Sequence, residues 1–134
     1  MNVFKLTPHF YLREFECPCC GTVMMDEYFI GMLEKLRVEI SLPIKINSGY
    51  RCRAYQKALK LARYEITGVM PPLPKIPFHT EGVAADIRIM DRPILNDDIP
   101  MLNDIGFTGI GISPSGWAHL DSGHDTIQTW KYSY

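Results

Sequence analysis

The alternation in residues 83–89, VAADIRI, constrains the fold most; the chain reaches it from the histidine of HTEG at positions 79–82. Successive side chains of an extended chain point to opposite faces, so Val83, Ala85, Ile87 and Ile89 share one side and Ala84, Asp86 and Arg88 the other. An aliphatic face of this kind has to be covered. The stretch is therefore a half-buried strand with Asp86 turned away from the core. Gly82 permits a sharp turn into it, and the small Ala84 and Ala85 let neighbouring backbone and a substrate come close.

The remaining periodicities place helices and strands around this one. Asp26 is a candidate N-cap for a helix over 27–40, in which Phe29, Met32, Leu33, Leu36 and Ile40 recur at helical spacing. Pro43 stops that helix, and residues 44–47 alternate as a short strand before the turn Ser48-Gly49. Residues 53–64 return to helix, with Ala54, Ala58, Leu61 and Ala62 on an inward side and Lys57, Lys60 and Arg63 in solvent. Between Thr67 and Phe78, the prolines at 71, 72, 74 and 77 favour a stiff extended loop that would wall a cleft beside His79. Pro93 and Gly106 bracket a helical region broken at Pro100, with Asp98 available to cap its second piece. Strands are expected over 108–112 and 117–121, and a last one within 127–134. This order indicates an α+β domain, a small antiparallel sheet with helices packed on it.

At 134 residues the chain is long enough for one hydrophobic core, so residues 1–134 are read as a single domain. A net charge of -1 gives no field that would gather nucleic acid or an anionic membrane, and neither partner is expected. No segment approaches the roughly 20 apolar residues of a membrane span, and MNVFKLTPHF carries no Sec-type signal pattern. A monomer made in the cytoplasm is expected. Cys17, Cys19 and Cys20 of CPCCG and the distant Cys52 leave three readings open: a structural metal, a disulfide from Cys52 to the cluster, or free thiols.

In GWAHLD, period two puts Trp117, His119 and Asp121 on one face and Ala118 and Leu120 on the other. If this strand neighbours the one carrying Asp86, then His79, Asp86 and His119 can meet at one metal ion. Two imidazoles and a carboxylate suit zinc and leave a fourth position open for water. The same residues read equally as hydrogen-bonded structural groups.

Four stretches then carry a resemblance: EFECPCCG (14–21), INSGYRC (46–52), HTEGVAAD (79–86) and WAHLD (117–121). In this order the chain resembles the zinc D-Ala-D-Ala carboxypeptidase and L-Ala-D-Glu endopeptidase family of murein hydrolases, which shares its metal-site fold with the Hedgehog signalling domain. The resemblance implies one catalytic zinc on His79, Asp86 and His119, with Arg51 facing the scissile group. It implies hydrolysis of a peptidoglycan stem-peptide bond beside D-Ala or D-Glu by metal-activated water, at the cell wall or periplasm, as in a phage or prophage endolysin. Relatives often carry a His, Glu or Asp a few residues before the last metal histidine, where this chain has Ser113, Gly116 and Trp117. Asp121 is taken as the general base in its place, its alternative being a carboxylate that supports a ligand. His124 and Glu81 are weaker candidates, and His9 has no assigned role. Tyr50 and Trp117 are expected to line the substrate cleft. Pro77, where relatives commonly have a serine, and the long connection from Arg51 to His79 both touch that cleft. The competing reading is a catalytically inactive zinc-binding interaction module of the same fold.

Overall fold

A computed structural model describes residues 4–69 and 78–134. An N-terminal hairpin, β1 (Lys5–Thr7) and β2 (Phe10–Tyr11), precedes helix α1 (Glu27–Ile40), strand β3 (Ile44–Ser48) and helix α2 (Arg53–Thr67). Strand β4 (Ala84–Ile89), helix α3 (Ile99–Ile105) and strands β5 (Gly109–Ile112), β6 (Ala118–Asp121) and β7 (Gln128–Lys131) follow. The hairpin was not foreseen. His9, at its turn, is tied to α1, with its Nδ1 2.6 Å from Glu34 Oε2 and its backbone N–H donating to Glu34 Oε1.

The five later strands form one sheet in the order β3-β4-β6-β5-β7. The first four are antiparallel to their neighbours, as expected, but β7 runs parallel to β5. Residues 122–127 reverse the chain as a hairpin would, then carry it past β5 to that strand's free edge. A strand antiparallel to β6 on that edge is necessarily parallel to β5.

One face of the sheet holds the core. Ala85, Ile87 and Ile89 of β4, Ile110 and Ile112 of β5, and Ala118 and Leu120 of β6 pack against Phe29, Ile30, Leu33 and Leu36 of α1 and Leu102 of α3. Each large side chain buried this way contributes about 1.5–3 kcal/mol. Phe29 and Phe107 meet edge to face with ring centroids 5.7 Å apart. Helix α1 starts as its sequence indicates, with the Asp26 carboxylate accepting from the Phe29 N–H at 2.9 Å.

Three expectations change. The aliphatic side of α2 is not core: Ala54, Ala58, Leu61 and Ala62 are exposed, and only Tyr55, Gln56 and Lys60 are half-buried. The helix is held at its first turn, where the Cys52 sulfur caps the Tyr55 N–H, and by Arg63 Nη2 donating to Tyr134 Oη at 3.0 Å, and no element among the described residues covers its apolar side. Pro100 does not break the region before Gly106, because it sits in the first turn of α3, where its missing N–H costs nothing. The Asp98 carboxylate does not cap α3 but accepts from the Leu95 N–H at 2.8 Å and pairs with both Arg92 guanidinium nitrogens at 2.7 and 3.0 Å. The expected loop over 67–78 lies largely outside the described residues; within them, α2 runs to Thr67 and a 3-10 turn begins at Phe78. Among the described residues no helix is long and apolar enough to cross a membrane.

The Arg92 pair holds the Asp98 carboxyl below its ordinary value, with the Leu95 N–H helping against partial burial. A lowered folded-state value gives stability that is present above the unfolded pKa and lost as pH falls through the folded one. Asp98→Asn should therefore cost about 1 kcal/mol at pH 7 and less at about pH 3. Urea unfolding at the two pH values checks this.

Candidate metal centre

The sheet's other face carries the polar residues. Asp86 on β4 stands directly opposite His119 on β6, and His119 opposite Gly111 on β5. His79 arrives from the 3-10 turn Phe78–Glu81, whose exit needs Gly82 at φ 74; a Cβ there would also press on the backbone of Met24 and Met25. His79, Asp86 and His119 each offer a ligand atom, and these atoms all lie within 4.8 Å of one another. Asp86 Oδ1 is 3.4 Å from His79 Nε2 and 3.1 Å from His119 Nδ1. Zinc bonds of about 2.0–2.1 Å in tetrahedral geometry imply ligand-to-ligand edges of about 3.3 Å, which these separations match.

The partners on the far side of each ring fix which nitrogen faces inward. Gly49 O, 2.8 Å from His79 Nδ1, can only accept, so Nδ1 carries the proton and Nε2 presents its lone pair to the site. Asp121 Oδ2 lies 2.8 Å from His119 Nε2, so that nitrogen donates to the carboxylate and Nδ1 faces inward. Once the inward nitrogens are unprotonated, two imidazole lone pairs and a carboxylate oxygen converge on one point. A cation satisfies such a set, and the donor types are those that zinc prefers.

Electrostatics follow the same pattern. Burial pushes His79 below its ordinary value despite Asp86 beside it. Burial acts the same way on His119, but hydrogen bonds to Asp121 and Asp86 outweigh it and raise the ring. Asp86 stays ionised far below the usual carboxylate range, because the two rings beside it more than offset its burial.

Arg51 lies at the edge of the triad. Its Nη2 donates to Asp86 Oδ2 at 2.9 Å, its Nε to Ser48 Oγ at 2.9 Å, and its backbone N–H to His79 O at 3.1 Å. The side chain is 18% exposed, and its Nη1 donates to Gln56 Oε1 at 3.4 Å.

Asp121 does not face the cleft as a free base would. Its side chain has no exposed surface, and its oxygens are taken by His119 Nε2, by His124 Nδ1 at 2.8 Å and by the Gly123 N–H at 3.1 Å. It stands on the side of His119 away from Asp86. Glu81 is exposed beside the 3-10 turn. Tyr50 is buried, with its N–H bonded to Phe15 O, and offers no open cleft wall. Trp117 is half-buried and stacks on Tyr132 at 4.7 Å between centroids.

The aromatic surface nearest the triad was not foreseen. Trp130 of β7 lies 5.3 Å from the His119 ring, and Tyr132 and Tyr134 continue the row past Trp117. Glycines on β5 make room for it: a Cβ on Gly111 would collide with Trp130 and Tyr132, and one on Gly109 with the Asp121 carboxylate. The readable signal was the run GIGI, whose isoleucines face the core and whose glycines leave the opposite face open.

No protein-family model matches the chain, and no curated protein matches it. Among solved structures it is similar to a point mutant of the vancomycin-resistance D,D-pentapeptidase VanY from a VanB-type cassette, in complex with Zn(II). The identity is 20% and the TM-score 0.46, over 81% of this chain and 78% of that one.

Two substitutions test the supports of the triad. Asp121→Asn should weaken zinc binding about 10- to 100-fold by removing the charge behind His119, as read by competition with a chromophoric chelator. Gly109→Ala should cost about 1–3 kcal/mol in urea unfolding through its collision with that buried carboxylate.

Proposed function

We propose that the chain is a zinc-dependent peptidase of murein stem peptides, with His79, Asp86 and His119 holding one ion. The observation that carries this reading is the convergence of two oriented imidazole lone pairs and a carboxylate, on one sheet face, at zinc-ligand separations. The substrate class rests on the four sequence stretches that resemble the zinc D-Ala-D-Ala carboxypeptidase and L-Ala-D-Glu endopeptidase family. When bound there, zinc supplies polarisation of a carbonyl and activation of water near neutral pH.

The chain's own residues do the rest. Asp121 holds His119 in the tautomer whose Nδ1 binds, and makes the ring a stronger donor. Arg51, fixed by Ser48 and Asp86, presents its remaining N–H groups to a developing oxyanion or a substrate carboxylate. Trp130, Tyr132 and Trp117 give the peptide an apolar wall beside the reacting bond. We take that bond to lie beside D-Ala or D-Glu, with the wall of a phage- or prophage-infected bacterium as the site of action.

One observation favours a second reading. Asp121, taken as the general base, is wholly buried and bonded on both oxygens to His119, His124 and the Gly123 N–H, which is the arrangement of a carboxylate that supports a ligand. A non-catalytic zinc-binding module of the same fold has this property.

Digestion of purified murein by the zinc-loaded protein, with mass mapping of the released fragments, separates the two. The enzyme should produce new amino termini or free D-Ala at one bond type, fall to background on chelation, recover with added zinc and be inactive as His119→Ala. Stoichiometric zinc with no cleavage of any stem-peptide type would leave the module, and failure to bind zinc at the triad would remove both.

A further inference from the structure

A second cluster of metal-ligating side chains lies outside the triad. The sulfurs of Cys17, Cys19, Cys20 and Cys52 all lie within 4.8 Å of one another. Cys19 Sγ is 3.6 Å from Cys17 Sγ and 3.3 Å from Cys52 Sγ. Zinc–sulfur bonds of about 2.3 Å in a tetrahedron imply edges of about 3.8 Å, so four sulfurs at these separations surround a volume that fits one ion.

The backbone is shaped to hold them. The segment CPCCG closes into a tight turn, with the Gly21 N–H donating to Cys17 O at 2.8 Å and the Cys17 N–H to Thr22 O at 2.9 Å. Gly21 adopts φ 72, a conformation that spares the turn a Cβ. Independently, two backbone N–H groups are aimed at sulfur: Cys52 N at Cys17 Sγ and Tyr55 N at Cys52 Sγ, both 3.4 Å away. The second lies in the first turn of α2, a 15-residue helix whose N-terminal dipole favours negative charge. Donors directed at sulfur stabilise thiolates, the form that binds metal.

We propose that Cys17, Cys19, Cys20 and Cys52 form a structural tetrathiolate zinc site, separate from the His79-Asp86-His119 centre. Binding exchanges the thiol protons for the ion and releases them to solvent. All four positions are filled by protein, so the site has no open position for water and its role is mechanical. It ties the turn before α1 to the start of α2. Cys52 directly follows Arg51, whose N–H is bonded to His79 O, so the ion clamps one side of the residue that pairs with Asp86. A disulfide would join only two of the four sulfurs and leave the convergence of the other two unaccounted for.

Cobalt(II) added to the reduced, metal-free protein is the probe, because thiolate-to-cobalt charge transfer gives an absorption that nitrogen and oxygen ligands do not. Wild type should show that band and bind two ions per chain. Cys17→Ser/Cys20→Ser should lose the band and one ion, whereas His119→Ala should keep the band and lose the other ion. Absence of the band from wild type would overturn the proposal, as would a Cys19–Cys52 disulfide recovered from protein purified under reducing conditions. Because the band reports only thiolate ligation, failure of this site and failure of the peptidase reading are distinguishable.

Discussion

Asp86 and His119 face each other across the β4–β6 ladder, and the site depends on that pairing. Opposed residues in a sheet stand close enough to share one ion without any movement of the backbone. Side chains alternate with period two, so a slip of one residue in the register would turn both away and bring Ile87 or Leu120 to the polar face. The apolar cost of that slip is what secures the register. The core on one face thus holds the chemistry in place on the other.

The polar face is built in layers behind the pairing. Asp121 supports His119, and it fits only because Gly109 has no side chain. Trp130 reaches His119 across the sheet only because Gly111 has none. A strand with small residues on one face and isoleucines on the other serves two demands at once. His79 comes from outside the sheet, and its ring is set by Gly49 O of the turn that also delivers Arg51.

Much of this was legible in the sequence because the strands alternate strictly. The faces of β4 and β6 and the cap of α1 follow from spacing and from side-chain chemistry, whereas the meeting of His79, Asp86 and His119 is conditional on β4 and β6 being neighbours and rests on the family resemblance. Which strands neighbour one another does not follow from spacing, and neither does the parallel β7, since a crossover past β5 leaves no local mark. Helix α2 departs from its pattern because amphipathic spacing states which residues share a side, not whether anything covers it. Asp121 was expected at the cleft because period two puts it on the site's face. The pattern could not show that the space over Gly109 buries it there.

The way α2 is attached has a dynamic consequence. A helix that buries no residue, tied at its first turn to Cys52 and farther along by Arg63 to Tyr134, has its amide hydrogens protected chiefly by its own ladder, so its opening is local. Its amides would exchange ahead of those of β4 and β6, whose ladder lies over the core. The molecule thereby sets a close-packed plate of strands beside a helix that can open without them.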